Sequence, residues 1–188
     1  MNYAQIRSLD LSNGEGVGVA LFVQGCHFHC KNCFNPETWD FNGGKEWTEE
    51  VKNKFLELAN RPYIKRISIL GGEPLAEENI DGVLDLVNRI RLFSPKKSIW
   101  IYTGYIWEDI MNYVTPFNNV ITTSNYEILY DYQMWKRQEI IKQCDVLVDG
   151  RYIDSQRDIT LPYHGSSNQR LIDIQKSLQK GEIVLWQT

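Results

Sequence analysis

Apolar runs alternate with amphipathic stretches along most of this chain, and that alternation sets the expected fold. Residues 17–23, Val-Gly-Val-Ala-Leu-Phe-Val, are almost wholly apolar and rich in β-formers, as in a strand covered on both faces. A polar loop follows. Thr48 then reads as the N-cap of a helix that turns Val51, Phe55, Leu56 and Ala59 to one side. Residues 66–70 read as the next strand, ended abruptly by Gly71-Gly72-Glu73-Pro74. The spacing of Val83, Leu84, Val87 and Ile90 predicts a helix over 80–93. A third strand is expected at 98–102, stopping at Thr103-Gly104. A short helix at 107–114 and a longer one at 132–142 lead to a fourth strand at 145–149. The tail from 150 to 188 is mixed, with 182–186 a weaker strand candidate.

Strands alternating with helices imply βαβ units and a parallel sheet. Right-handed crossovers then bring the strand C-termini to one edge. Three loops follow strands: the polar loop after residue 23, residues 71–74, and Thr103-Gly104. All three are expected on that edge, where parallel α/β folds place their sites. Fewer than eight strands predicts an α/β fold of the partial, open (β/α) barrel kind. The 188 residues are 43% hydrophobic, which suits one domain over 1–188.

The net charge of −4 argues against nucleic-acid binding as the main role. No basic start followed by an apolar run marks a signal peptide. The longest apolar run is far short of the roughly 20 residues that span a bilayer. A cytoplasmic protein with no membrane association is expected.

Three of the four cysteines, Cys26, Cys30 and Cys33, fall in the loop at 24–40, while Cys144 is remote. A disulfide framework would spread its cysteines more evenly. Thiolates are the usual ligands of iron–sulfur clusters. Three from one loop would leave one iron of a [4Fe–4S] cluster open, as catalytic metal sites leave a position open. Zinc on the same thiols with His27 or His29 is the competing reading. Cys144 is either a distant fourth ligand or a small apolar group at a helix–strand junction.

The Cys-x3-Cys-x2-Cys loop after a first strand, with Gly-Gly-Glu-Pro after a later one, resembles the radical S-adenosylmethionine (SAM) superfamily. Within it the chain is similar to the activating proteins of anaerobic (class III) ribonucleoside-triphosphate reductases. The likeness runs through residues 13–16, 21–26, 35–40, 71–74, 99–105, 145–150 and the Gly-Ser-Ser-Asn-Gln-Arg segment at 165–170. It departs at two places. Asn32 stands where many members of the superfamily carry an aromatic residue before the third cysteine. The family's arginine shortly after Asn-Gly-x-Gly is replaced here by Gly18.

The resemblance implies a [4Fe–4S] cluster on Cys26, Cys30 and Cys33, with SAM on the open iron. It further implies an electron from a flavodoxin-like donor and hydrogen abstraction from a glycine of the reductase large subunit. The SAM contacts it implies are Asn32, Cys33, Phe34, Gly71, Gly72, Glu73 and Thr103, with Tyr102 nearby. Gly71 and Gly72 would let backbone approach the ligand, and Glu73 would accept from its ammonium. Bulk at Gly72 is then expected to block SAM and spare the cluster. The tail at 150–188 is expected to face the partner, with 165–170 flexible and Asn168 and Arg170 docking. With no spare segment for a lid, closure is expected from the partner. The rival functions are activation of another glycyl-radical enzyme, such as pyruvate formate-lyase, and a non-catalytic iron–sulfur or zinc module.

Overall fold

The computed structural model describes residues 1–114 and 125–187. In chain order its elements are β1 (Asn2–Asp10), β2 (Gly18–Val23), β3 (Lys45–Glu46), α1 (Glu49–Ala59), β4 (Arg66–Gly71), α2 (Glu77–Phe93), β5 (Ser98–Tyr102), α3 (Trp107–Met111), α4 (Asn125–Lys142), β6 (Val146–Asp149), β7 (Arg170–Asp173) and α5 (Ile174–Lys180). Among the described residues the strands form one sheet in the order β3-β1-β2-β4-β5-β6-β7. It is open, because β3 and β7 are its two edges.

The centre is parallel, as the alternating pattern predicts: β2, β4, β5 and β6 run the same way. The flanks correct that expectation. β1, β3 and β7 are antiparallel additions, so the sheet is mixed. β1 escaped the pattern because it is only part-covered along its length and shows no clean alternation. The strand expected at 182–186 does not form. That segment meets β7 through Asp173 N–H to Val184 O (2.8 Å) and Trp186 N–H to Leu171 O (2.8 Å), with a lone bridge at Leu185.

The helices sit near their expected places with shifted ends. α1 is capped by Thr48, whose hydroxyl accepts from Val51 N–H (3.3 Å). α2 begins earlier than expected, at Glu77, where Glu77 and Glu78 suit the positive helix end. α3 stops at Met111, and α4 reaches back to Asn125.

Successive side chains on a strand face opposite ways. On β2, β4 and β5, Val19, Leu21, Val23, Ile67, Ile69, Ile99 and Ile101 enter the main core beneath the helices, with Phe55, Val83, Val87, Ile90 and Ile140. Ala20, Phe22 and Leu70, and on β5 Trp100 and Tyr102, face the other way in two smaller clusters. Gly18 and Arg66 are register partners on that second face. The Arg66 guanidinium occupies the space a side chain at 18 would need, since a Cβ there would stand 2.7 Å from Arg66 Cζ. The space beside Gly18 is therefore filled from the adjacent strand.

Cys144, between α4 and β6, is fully buried, its thiol donating to Ile140 O (3.2 Å), and burial pushes its pKa well up. It packs as the small apolar group the sequence allowed. No described helix is long and apolar enough to cross a membrane.

Candidate functional site

The C-terminal ends of β2, β4 and β5 open on a cavity of about 530 Å³. Cys26, Cys30, Cys33 and Phe34 line it, together with Gly71, Gly72, Glu73, Tyr102 and Thr103. The three loops thus converge as expected. Asn32 does not join them: its side chain donates outward to the Asp154 carboxylate (2.8 Å), from a left-handed backbone at φ 56°.

The cysteine loop is held at its root. Gly25 N–H donates to Thr38 O (2.8 Å) and Cys26 N–H to Trp39 O (3.0 Å). The buried Gln24 amide donates to Glu37 O (3.0 Å) and Asp40 O (2.8 Å). Asn79 on α2 spans two loops by donating to Gln24 O (3.0 Å) and Glu73 O (2.9 Å). Sequence reasoning missed Gln24 and Asn79. Gln24 gave one signal, an amide at the end of an apolar run, while Asn79 stands among acidic residues and gave none.

Burial pushes the Cys26 thiol up to about 11 and raises Cys30, where the neighbouring Cys33 adds to the effect. Such thiols stay protonated at neutral pH unless a metal centre takes them as thiolates. No group of three or more described His, Cys, Asp or Glu side chains could hold a single metal ion. The thiols instead line one large cavity. His27 pairs with Glu78 (3.0 Å) and His29 stacks on Trp39 (4.7 Å between ring centres).

The Gly71–Pro74 turn packs backbone to backbone on the cysteine loop. Gly72 N–H donates to Val23 O (2.9 Å) and Glu73 N–H to Gly25 O (2.7 Å). A Cβ on Gly72 would collide with Gly25 O. Glycine is therefore needed at 72 for the contact between two turns, beside any ligand. Gly71 takes φ +107°, a left-handed conformation natural to glycine.

Glu73 is buried, and its carboxylate is engaged by the protein. It accepts Leu75 N–H (2.8 Å), the Thr103 hydroxyl (2.7 Å) and Gly104 N–H (2.7 Å). Burial lifts its pKa to about 7 against those three bonds and the nearby Arg137. Three of its roughly four lone-pair positions are used within the protein, which leaves one for a ligand ammonium.

The tail contributes to the same cavity. Residues 158–165 form a loop closed at its base by Asp158 N–H to Gly165 O (3.2 Å), and Asp158, Ile159, Leu161, Tyr163 and His164 line the cavity. The tail thus supplies part of the cavity wall. Residues 165–170 are tied down: Gln169 accepts from Gly165 N–H (3.0 Å) and donates to Gly150 O (3.0 Å), and Asn168 donates to Arg151 O (2.8 Å). Arg170 pairs with Glu108 (2.7 Å) and with the buried Asp149.

Comparison with known proteins supplies the context for this cavity. A family described as a 4Fe-4S single cluster domain matches residues 12–172. The anaerobic ribonucleoside-triphosphate reductase-activating proteins of Vibrio cholerae and Escherichia coli K12 are 34% and 33% identical over 171 residues, covering 90% of this chain and 96% of theirs. That of Enterobacteria phage T4 is 32% identical, covering 91% and 93%. The chain belongs to this family of activating proteins. The matched 4Fe-4S region takes in the cysteine loop and the strands that frame the cavity. Family membership and the three thiols at one cavity wall therefore point to an iron–sulfur protein of the activase kind.

Proposed function

We propose that this activating protein cleaves SAM reductively at a [4Fe–4S] cluster on Cys26, Cys30 and Cys33, and so places a glycyl radical on the large subunit of an anaerobic ribonucleoside-triphosphate reductase. A flavodoxin-like protein is the proposed electron donor. The observation that carries the reading is the meeting of three thiols, the Gly71–Glu73 turn and Thr103 in one cavity at the strand C-termini.

The donor set suits such a cluster: three soft ligands from one loop, with space beside them for a ligand of nucleoside size. When bound, the cluster would deliver the electron that breaks the sulfonium C–S bond. The chain's own residues do the rest. Gln24 and Asn79 fix the root of the cysteine loop. Glu73 locks the Thr103-Gly104 turn beside it. Phe28, packed edge-on against Tyr105 (5.0 Å), and Phe34, packed on Tyr152 (5.1 Å), form apolar walls that keep water from the reacting groups. Thr103 and the backbone of residues 32–34 are the proposed SAM contacts, with Gly71, Gly72 and Glu73.

Anaerobic reconstitution should give about four irons and four sulfides per chain. Dithionite and SAM should then yield 5′-deoxyadenosine, and addition of a cognate reductase should yield an organic radical by electron paramagnetic resonance. Ala at Cys26, Cys30 or Cys33 should abolish cleavage, and Cys144→Ala should not. Wild-type protein that holds the cluster and forms no deoxyadenosine would overturn the proposal.

A further inference from the structure

Arg66 opens β4 and is wholly buried on the cavity face of the sheet. Its guanidinium works almost entirely on the segment joining β1 to β2. Nε donates to Glu15 O (3.3 Å), Nη1 to Asn13 O (2.6 Å) and to the Ser68 hydroxyl, and Nη2 to Asp10 O (3.0 Å) and Gly16 O (3.4 Å). Nη2 also pairs with the buried Asp10 carboxylate (2.8 Å). Ser68 adds a further bond to Asn13 O (2.6 Å).

This segment needs such support. Gly14 and Gly16 adopt φ +129° and +75°, conformations that break any regular ladder. Carbonyls left inside the fold without a ladder need other donors, and a planar fork with five N–H groups supplies several at once. Gly14 is packed on the same side chain, since a Cβ there would stand 2.5 Å from Arg66 Cδ.

The segment is also part of the cavity. Ser12 and Asn13 line it, near Tyr102, whose hydroxyl is buried with no hydrogen-bond partner. We propose that Arg66 is a positioning residue for ligand binding: by holding the carbonyls of residues 10–16 it fixes the cavity wall made by Ser12 and Asn13, and so sets the affinity for SAM. The inference rests on the reading of the cavity as a SAM site. Register gives it a specific form. Gly18 and Arg66 are partners on one face of a parallel pair, so an arginine reaching from position 18 would enter the same space if residue 66 were glycine.

The test uses the full chain, reconstituted anaerobically, with SAM as the probe. Arg66→Lys keeps a cation for Asp10 and loses the fork. Its iron content should match wild type, its SAM Kd by calorimetry should rise about tenfold, and amides 11–17 should exchange hydrogen faster. Deoxyadenosine formation at saturating SAM should stay within about twofold, the split expected when binding alone is weakened. Arg66→Gly should bind SAM worse still, and Gly18→Arg/Arg66→Gly should regain most of the affinity.

Wild-type affinity in Arg66→Lys despite faster exchange at 11–17 would overturn the proposal by showing a purely structural role. A folded, iron-replete double variant no better than Arg66→Gly would overturn it equally. If both glycine variants fail to fold, the Arg66→Lys titration decides. Failure of the wild type to bind SAM would instead strike the reading of the cavity, and the ligand part of this proposal with it.

Discussion

The carboxylate of Glu73 accepts the hydroxyl of Thr103 at 2.7 Å, and that contact ties the end of β4 to the end of β5. The second carboxylate oxygen takes Gly104 N–H at 2.7 Å, so one side chain holds both residues of the neighbouring turn. An amide in its place would set an NH2 group against a donor. Glu73→Gln should therefore lower stability by about 1–3 kcal/mol in chemical denaturation, the usual cost of a buried polar group left unpaired. Thr103→Val removes one partner only and should cost less. Equal stability of Glu73→Gln and wild type would mean the carboxylate is not what joins these strands.

Gly72 touches the root of the cysteine loop rather than the ligand space alone. Gly72→Val must push against Gly25 O, one residue before Cys26. The variant should therefore lose iron as well as SAM binding, with reduced visible absorbance after reconstitution. Full iron with weak SAM binding would restore the simpler expectation that this glycine faces only SAM.

Asp10 and Arg66 are both buried and paired at 2.8 Å. Burial pushes the Asp10 pKa up, but the bonds from Arg66 and Asn13 outweigh it and leave the carboxyl below its usual 3.8. A lowered folded-state pKa means stability is present above the ordinary carboxylate range and is lost as pH falls through the folded value. Asp10→Asn strands the Arg66 charge and should cost about 3–5 kcal/mol. The gap to wild type should hold from pH 8 down to about 4 and narrow only below that. Thermal or denaturant unfolding across this range is the check.

Arg170 bridges Glu108 and the buried Asp149, which also accepts Trp107 N–H at 2.9 Å. Its own pKa is driven higher by those carboxylates. Arg170→Ala should lower the unfolding midpoint clearly, since it leaves a buried carboxylate without its partner. Asn168→Ala removes an exposed bond to Arg151 O and one accepted from the Ser166 hydroxyl and should cost about 1 kcal/mol or less. Measured separately, the two variants distinguish a structural Arg170 from a docking surface. A fully stable Arg170→Ala with reduced radical transfer would return this segment to the partner.

The parallel centre was legible because residues 17–23, 66–70 and 98–102 are largely apolar, β-rich runs that each end shortly before a glycine turn, a pattern that buried strands impose. That the three cysteines gather at one cavity was legible from their spacing. β1 was not, because a strand part-covered along its length carries no clean period. β7 hid for another reason: Arg170 begins it with a charge that only the fold neutralises. Long-range polar partners such as Gln24 with Asp40, or Arg66 with Asn13, leave no mark in a local pattern. Position 18 is the sharpest case, since its missing side chain is explained by a residue 48 places later in the chain.

The strict alternation on β2, β4 and β5 has an effect on how this protein tolerates change. Val19, Leu21, Val23, Ile67, Ile69, Ile99 and Ile101 answer to the helices, and Ala20, Phe22, Leu70 and Tyr102 belong to the cavity side. Neighbours along one strand thus serve different masters. A complete substitution scan of these strands should show two interleaved phenotypes with a period of two: loss of folded protein at one set of positions, and folded protein with impaired ligand binding at the other. Selection can then tune the cavity from strand positions whose immediate neighbours are fixed by the core, without moving the backbone that carries both.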